Sequence, residues 1–107
     1  MTFEEFEIEY TKWLNYNFPK SETGDQLLGC VEELGELAHS VLKAKQGIRG
    51  TPEEHEVKAK DAAGDLLIFL TGFFIRKGWS IQDVLTETWA TVKTRDWQKF
   101  PRNGRDQ

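Results

Sequence analysis

The sequence is poor in several things, and each shortage removes a class of protein. It has one cysteine, Cys30, so no disulfide can form within the chain, and a reducing, cytoplasmic setting is expected. It has no excess of positive charge: 14 Lys and Arg stand against 18 Asp and Glu, for a net charge of −4. That balance argues against a nucleic-acid surface, which needs a basic patch for the phosphates. An anionic ligand would instead need local cations or a bound metal. No apolar run exceeds "LLIFLTGFFI" at 66–75, about half the ~20 residues that cross a bilayer, so no membrane segment is expected. The opening "MTFEEFEIEY" is acidic and amphipathic, unlike a signal peptide. Repeats, low-complexity stretches and interdomain linkers are also missing. One domain over residues 1–107 is the expectation, with the polar tail from about 101 mobile.

What is present is helical periodicity. Thr2 and Glu5 have capping-box spacing, followed by Phe3, Phe6, Tyr10, Trp13 and Leu14 on one face. This predicts a first helix ending near Asn15. A second is predicted from about Asp25 to Gln46, with Leu27, Val31, Leu34, Ala38, Val41 and Leu42 as its apolar face. Thr51, Pro52 and Glu54 mark the start of a third, running to Lys77 with Gly78 beyond its end. Ser80 and Asp83 open a fourth, which should fray near Phe100, before Pro101. No segment reads as a strand. The predicted class is all-α, a four-helix bundle.

Carboxylates on the two middle helices carry the candidate chemistry. With Glu32 at zero on a helical wheel, Glu36 lies about 40° away and Glu33 about 100° away, with the apolar face near roughly 200°. Glu33 and Glu36 therefore lean toward the core edge, and Glu32 points outward. On the third helix, Asp61 and Asp65 share a stripe with Gly72 and Arg76 in a segment that is apolar nearly all round from Ala62 to Ile75. Buried carboxylates are costly unless paired or metal-bound. Two such pairs form an oxygen-rich cage of the kind Mg²⁺ or Mn²⁺ prefers. Metal-assisted attack of water on a phosphoanhydride is the chemistry this suggests. The plain alternatives are a solvated glutamate face and an Asp65 paired with a neighbouring Lys or Arg.

Other motifs carry less. Glu36-Leu37-Ala38-His39 matches one half of a di-iron bundle motif, which needs two copies. "HEVKA" lacks the second histidine of a zinc protease helix. His39 and His55 read as surface histidines, and Cys30 as a buried, inert thiol.

Residues 10–97 resemble the MazG-like all-α nucleoside triphosphate pyrophosphohydrolases, particularly the short single-domain members of phages and bacteria. "VEELGELAHSVLK" is similar to their Glu-Glu-x-x-Glu segment, and "KDAAGDLLIFLTGFFIRKGWSIQDVLTETWATVKTRDW" to their second half. The family pattern is Glu-x-x-Glu on one helix and Glu-x-x-Asp on the next, all four binding Mg²⁺. Glu33, Glu36 and Asp65 match. The third position holds Ala62, with Asp61 one residue earlier.

The resemblance implies hydrolysis of (deoxy)nucleoside triphosphates to monophosphate and pyrophosphate, for house-cleaning or pool control. It implies Glu33, Glu36, Asp61 and Asp65 as metal ligands, with Glu33 or Glu36 orienting the water. Lys93 and Arg95 are the candidates to meet the phosphates, although Thr88 and Val92 stand where some relatives carry Lys and Asn. It also implies a homodimer or homotetramer, for which four Trp and seven Phe would supply interface. A catalytically degenerate helical module, or a hydrolase of another phosphoanhydride such as an alarmone, are the alternatives.

Overall fold

A computed structural model describes residues 1–106. It contains four helices: α1 Phe3–Asn17, α2 Thr23–Gln46, α3 Pro52–Lys77 and α4 Ile81–Val92. No strand occurs among the described residues, so the all-α, four-helix expectation holds. No described helix is long and apolar enough to cross a membrane.

The helix starts follow their caps. Thr2 and Glu5 close a reciprocal box, with Glu5 N–H donating to Thr2 Oγ1 at 3.1 Å and Thr2 N–H to Glu5 Oε1 at 2.9 Å. Thr51 accepts from Glu54 N–H at 3.1 Å, with Pro52 in the first turn. α2 starts two residues earlier than predicted, because Glu22 and Asp25 form a capping box of their own.

α2 and α3 form the central antiparallel pair, joined by the tight link Gly47–Thr51. Gly47 takes the left-handed conformation that ends α2 (φ 70°). His55 Nε2 lies 2.8 Å from the Ile48 carbonyl oxygen and pins the link to α3. His55 is therefore buried, not a surface residue as its sequence context suggests. The two helices approach closely at small residues. Phe69 occupies the space where a side chain at Gly29 would sit. At Gly72, α3 admits both Gln26 of α2 and Tyr10 of α1.

α1 lies against α3 through Tyr10 and Leu14. Its aromatic residues form a continuous row, with ring centroids 5.4–6.0 Å apart from Phe3 through Phe6, Tyr10 and Trp13 to Phe18. Arg76 near the end of α3 ties down the α1–α2 connection. It donates to Asn15 Oδ1 (2.7 Å), Phe18 O (2.9 Å) and Ser21 O (2.9 Å).

Two sequence expectations fail at the level of packing. The face of α2 that meets α3 carries Gln26, Cys30, Glu33 and Ser40, and these are its buried residues. The expected core face, with Leu27, Val31, Leu34, Val41 and Leu42, is exposed, as are Leu67, Ile68 and Leu70 on α3. α4 buries no residue at all; its Leu85 is 64% exposed. Hydrophobic periodicity identifies a face that needs covering, but not which neighbour covers it.

The consequence is an open molecule. Its radius of gyration is 17.7 Å, against about 13 Å for a compact chain of this length. Its accessible surface is 8471 Å², against roughly 6,100 Å² for a folded monomer of this mass.

The end of the chain differs from expectation as well. α4 stops at Val92, well before Phe100, and the following segment closes on itself. Asp96 N–H donates to Gly104 O at 2.7 Å, Gly104 N–H to Phe100 O at 2.8 Å, and Gly104 is buried against Arg95 and Trp97. Positive φ at Gly104 (77°) makes this turn possible. Gln107 lies outside the described residues.

The α2–α3 contact predicts opposite outcomes at two helical glycines. Gly29→Val should lower stability by about 1–3 kcal/mol, because Phe69 must be displaced. Gly64→Ala, with open space around its Cβ position, should raise it by about 0.5–1 kcal/mol. Thermal and urea denaturation of both variants checks the signs.

Candidate metal centre and adjoining cavity

The acidic residues gather where α2 and α3 run side by side. Carboxylate oxygens of Glu32, Glu33 and Glu36 lie within 4.8 Å of one another. The wheel sets Glu32 apart; the structure reunites it with the others, because a glutamate side chain bridges a 40° offset to the residue one turn on. Glu32 is thus a candidate ligand that angular reasoning about Cα positions misses.

Glu33 is the unusual member. It is only 7% exposed, and its Oε2 is buried without a hydrogen-bond partner. Leaving a buried acceptor unsatisfied is unfavourable, the more so if it is charged. Burial pushes its pKa up, and the carboxylates of Glu36, Asp65 and Glu32 push it further in that order. A carboxylate with one oxygen buried and unpartnered, beside three other acids, is a position that favours a cation or a proton.

Asp61 and Asp65 approach from α3. Both line a groove of about 570 Å³ together with Glu32 and Glu36. The donors are all carboxylate oxygens, which suits a hard divalent cation such as Mg²⁺ or Mn²⁺. The orphaned Glu33 oxygen is the observation that makes the set fit such an ion. Ala62 is 3% exposed, its methyl on the groove wall facing α2. Asp61, more exposed, is the acid that reaches the groove from that turn.

The groove also has two basic residues on its walls, to which sequence reasoning gave no role there. Lys58 and His39 line it, one from each helix. The signal for Lys58 was available: it precedes Asp65 by seven residues, two helical turns, and so lies on the same stripe. Lys93 and Arg95 are not among the groove's lining residues. Lys93 caps α4, and the Arg95 guanidinium stacks 5.9 Å from the Trp97 ring.

A second cavity, of about 800 Å³, opens between α1 and the α2–α3 pair. Tyr10, Trp13, Phe18, Ile68 and Phe69 give it mainly apolar walls, with Gln26 as a buried polar member. Asp65 lines both the cavity and the groove, so the two adjoin at that side chain. One molecule can therefore place a charged end among the acids and an apolar, ring-shaped end among the aromatic residues.

Comparison with protein-family models, curated proteins and solved structures gives no match.

Two buried groups next to the cavity stay neutral. Burial raises the Cys30 thiol pKa, which makes it the inert core cysteine expected from its position. Burial also raises that of Tyr10, opposed by the nearby Arg76 charge, so its phenol remains an O–H.

The raised pKa of Glu33 gives a stability prediction with a definite sign. Its folded-state pKa exceeds its unfolded one, so its contribution is fully present below the ordinary carboxylate range and is lost as pH rises through the raised value. Without divalent cations, Glu33→Gln should therefore melt above wild type at neutral pH, with the gap closing on acidification. Mg²⁺ should raise the wild-type melting temperature at neutral pH and leave the variant nearly unchanged. Calorimetry across a pH series, with and without Mg²⁺, measures both.

Proposed function

We propose that the chain is a Mg²⁺-dependent nucleotide pyrophosphohydrolase of the MazG-like kind, hydrolysing (deoxy)nucleoside triphosphates to monophosphate and pyrophosphate. The observation that carries this reading is the shared Asp65, which joins an all-carboxylate centre with an orphaned Glu33 to an aromatic cavity. Phosphates need the cation-seeking groove; a flat base needs the cavity.

In this reading Glu33 and Glu36, with Glu32 clustered beside them, would hold the ion from α2, and Asp61 and Asp65 would reach it from α3. A divalent ion bound there supplies charge neutralisation for the phosphates and lowers the pKa of its water. Glu36, the more exposed of the pair, accepts the proton as water oxygen bonds to the α-phosphorus and the pyrophosphate oxygen departs. Lys58 and His39 face the polyphosphate from the groove walls. They replace Lys93 and Arg95 as the phosphate contacts supplied by a single chain. A non-catalytic module is the competing reading, supported by Ala62 standing in place of an acid. The lone buried thiol fits a reducing, cytoplasmic setting.

We also infer that the working form is a dimer or tetramer. The exposed apolar stripes of α2 and α4, and an accessible surface roughly 2,300 Å² above that of a compact monomer, support this. That area is within the range that obligate interfaces bury.

A panel of nucleoside triphosphates with Mg²⁺, assayed for pyrophosphate release, tests the activity. Glu36→Gln and Asp65→Asn should each lower kcat by about 100-fold or more, and Asp61→Asn should cut it sharply. Lys58→Ala should act mainly on KM. No release from any nucleotide would sink the reading. Full activity in Asp61→Asn would show that another residue supplies the third acid.

Sedimentation should show a dimer or larger species. Leu34→Glu on the exposed face of α2 should shift it toward monomer and lower its melting temperature.

A further inference from the structure

The cavity beside the acidic centre contains a polar group that the proposed chemistry does not use. Gln26 is 4% exposed. Its amide nitrogen donates to Ser21 Oγ at 3.3 Å, and Ser21 is itself held by Arg76, whose Nη2 donates to the same oxygen at 2.9 Å. The other end of the amide, Oε1, is buried with no partner.

Its place is made by Gly72. A Cβ there would overlap the Gln26 amide oxygen and stand 2.9 Å from Tyr10 Oη. The amide oxygen and the phenol thus meet over one bare helix position, at the edge of a cavity walled by Tyr10, Trp13, Phe18 and Phe69. Tyr10 is buried in the aromatic row, its ring 6.0 Å from that of Trp13, and the half-exposed Trp13 is the ring on which a planar group can stack.

A buried acceptor without a donor is a poor choice for packing alone, because a methionine or leucine would fill the space without an unsatisfied oxygen. Ser21, itself gripped by Arg76, holds the amide nitrogen, so the oxygen is the end left for a ligand. It needs only a donor arriving in the cavity.

We propose that Gln26 is a specificity-determining residue that accepts a hydrogen bond from the exocyclic amine of a nucleobase. The inference rests on the nucleotide reading above. Cytosine and adenine carry that amine. Uracil and hypoxanthine place a carbonyl oxygen at the same ring position, where acceptor would face acceptor. The chain therefore takes amino-bearing bases in preference to their keto counterparts. A site built around a buried polar group rejects a ligand that leaves it unpaired more strongly than an apolar pocket rejects a misfit.

The test compares matched pairs that differ at this one substituent. Binding of CMP against UMP, and of AMP against IMP, is measured by titration calorimetry, which needs no turnover. For wild type, the amino member of at least one pair should bind about tenfold more tightly. Gln26→Met should bring that ratio to within about threefold while circular dichroism shows the fold intact. Gly72→Ala, which displaces the amide, should shrink the ratio with Gln26 still present. Equal or keto-favouring binding in both pairs for the wild type overturns the proposal. So does a ratio that survives Gln26→Met. Pyrophosphate release with the corresponding triphosphates is followed in parallel. Its failure with every nucleotide would refute the hydrolase reading, while the binding ratios still decide the role of Gln26.

Discussion

The close approach of α2 to α3 is the constraint on which the rest of the molecule depends. It is made by omission: Gly29 leaves room for the Phe69 ring, Gly72 for Gln26 and Tyr10, and the small Ala62 lies in the same contact. With larger residues at those points the two helices would separate. Because they do not, Glu33 is held in the interface, where water reaches little of it and Asp65 is close enough to perturb it. The same approach places Gln26 without a full set of partners. Strain in the electrostatic sense and strain in the hydrogen-bonding sense thus have one origin, and they adjoin the two openings that Asp65 connects.

Most of the architecture was legible in the sequence, for identifiable reasons. Helix starts are local: Thr2, Thr51 and Ser80 each find their acceptor role within three residues, so a short window suffices. Helix ends at Gly47 and Gly78 are equally local, since only glycine takes the left-handed conformation there without penalty. The end of α4 was misplaced because it carries no glycine stop; it ends in tightened turns in which Thr94 N–H and Oγ1 bond the Thr91 carbonyl and Arg95 N–H that of Val92. The segment beyond it closes across eight residues, from Asp96 to Gly104, and a window of one helical turn does not see that.

The candidate site was legible in part. Glu33, Glu36, Asp61 and Asp65 were chosen as residue types on helical stripes; Glu36, Asp61 and Asp65 line one groove, whereas Glu33 clusters with Glu32 and Glu36 and is not among the groove's lining residues. Glu32 was set aside because a wheel fixes Cα directions and ignores side-chain reach. Lys58 was overlooked because a search for acids does not look for the cations beside them, and His39 was read only as a surface residue, which its exposure bears out. The aromatic cavity was invisible as a cavity. Tyr10, Trp13 and Phe18 read as a core stripe, and only the position of α1 against α3, set by Arg76 gripping the α1–α2 connection, leaves space behind them.

The packing of apolar residues is where periodicity misleads most, and the reason is physical. Burial on α2 follows Gln26, Cys30, Glu33 and Ser40, a stripe with little apolar surface, while the leucine-rich stripe faces away. A helix pair joined by such a polar seam gains little from hydrophobic burial, so the seam alone is a weak source of stability. The apolar surface able to offset chain entropy lies on the outside of α2 and along α4. Folding of the pair and covering of that surface are therefore linked: whatever packs on α2 also holds Glu33 against α3. An acidic centre whose geometry depends on an outer layer can be costly to form and still persist, because the free energy that stabilises it comes from another face of the same helix.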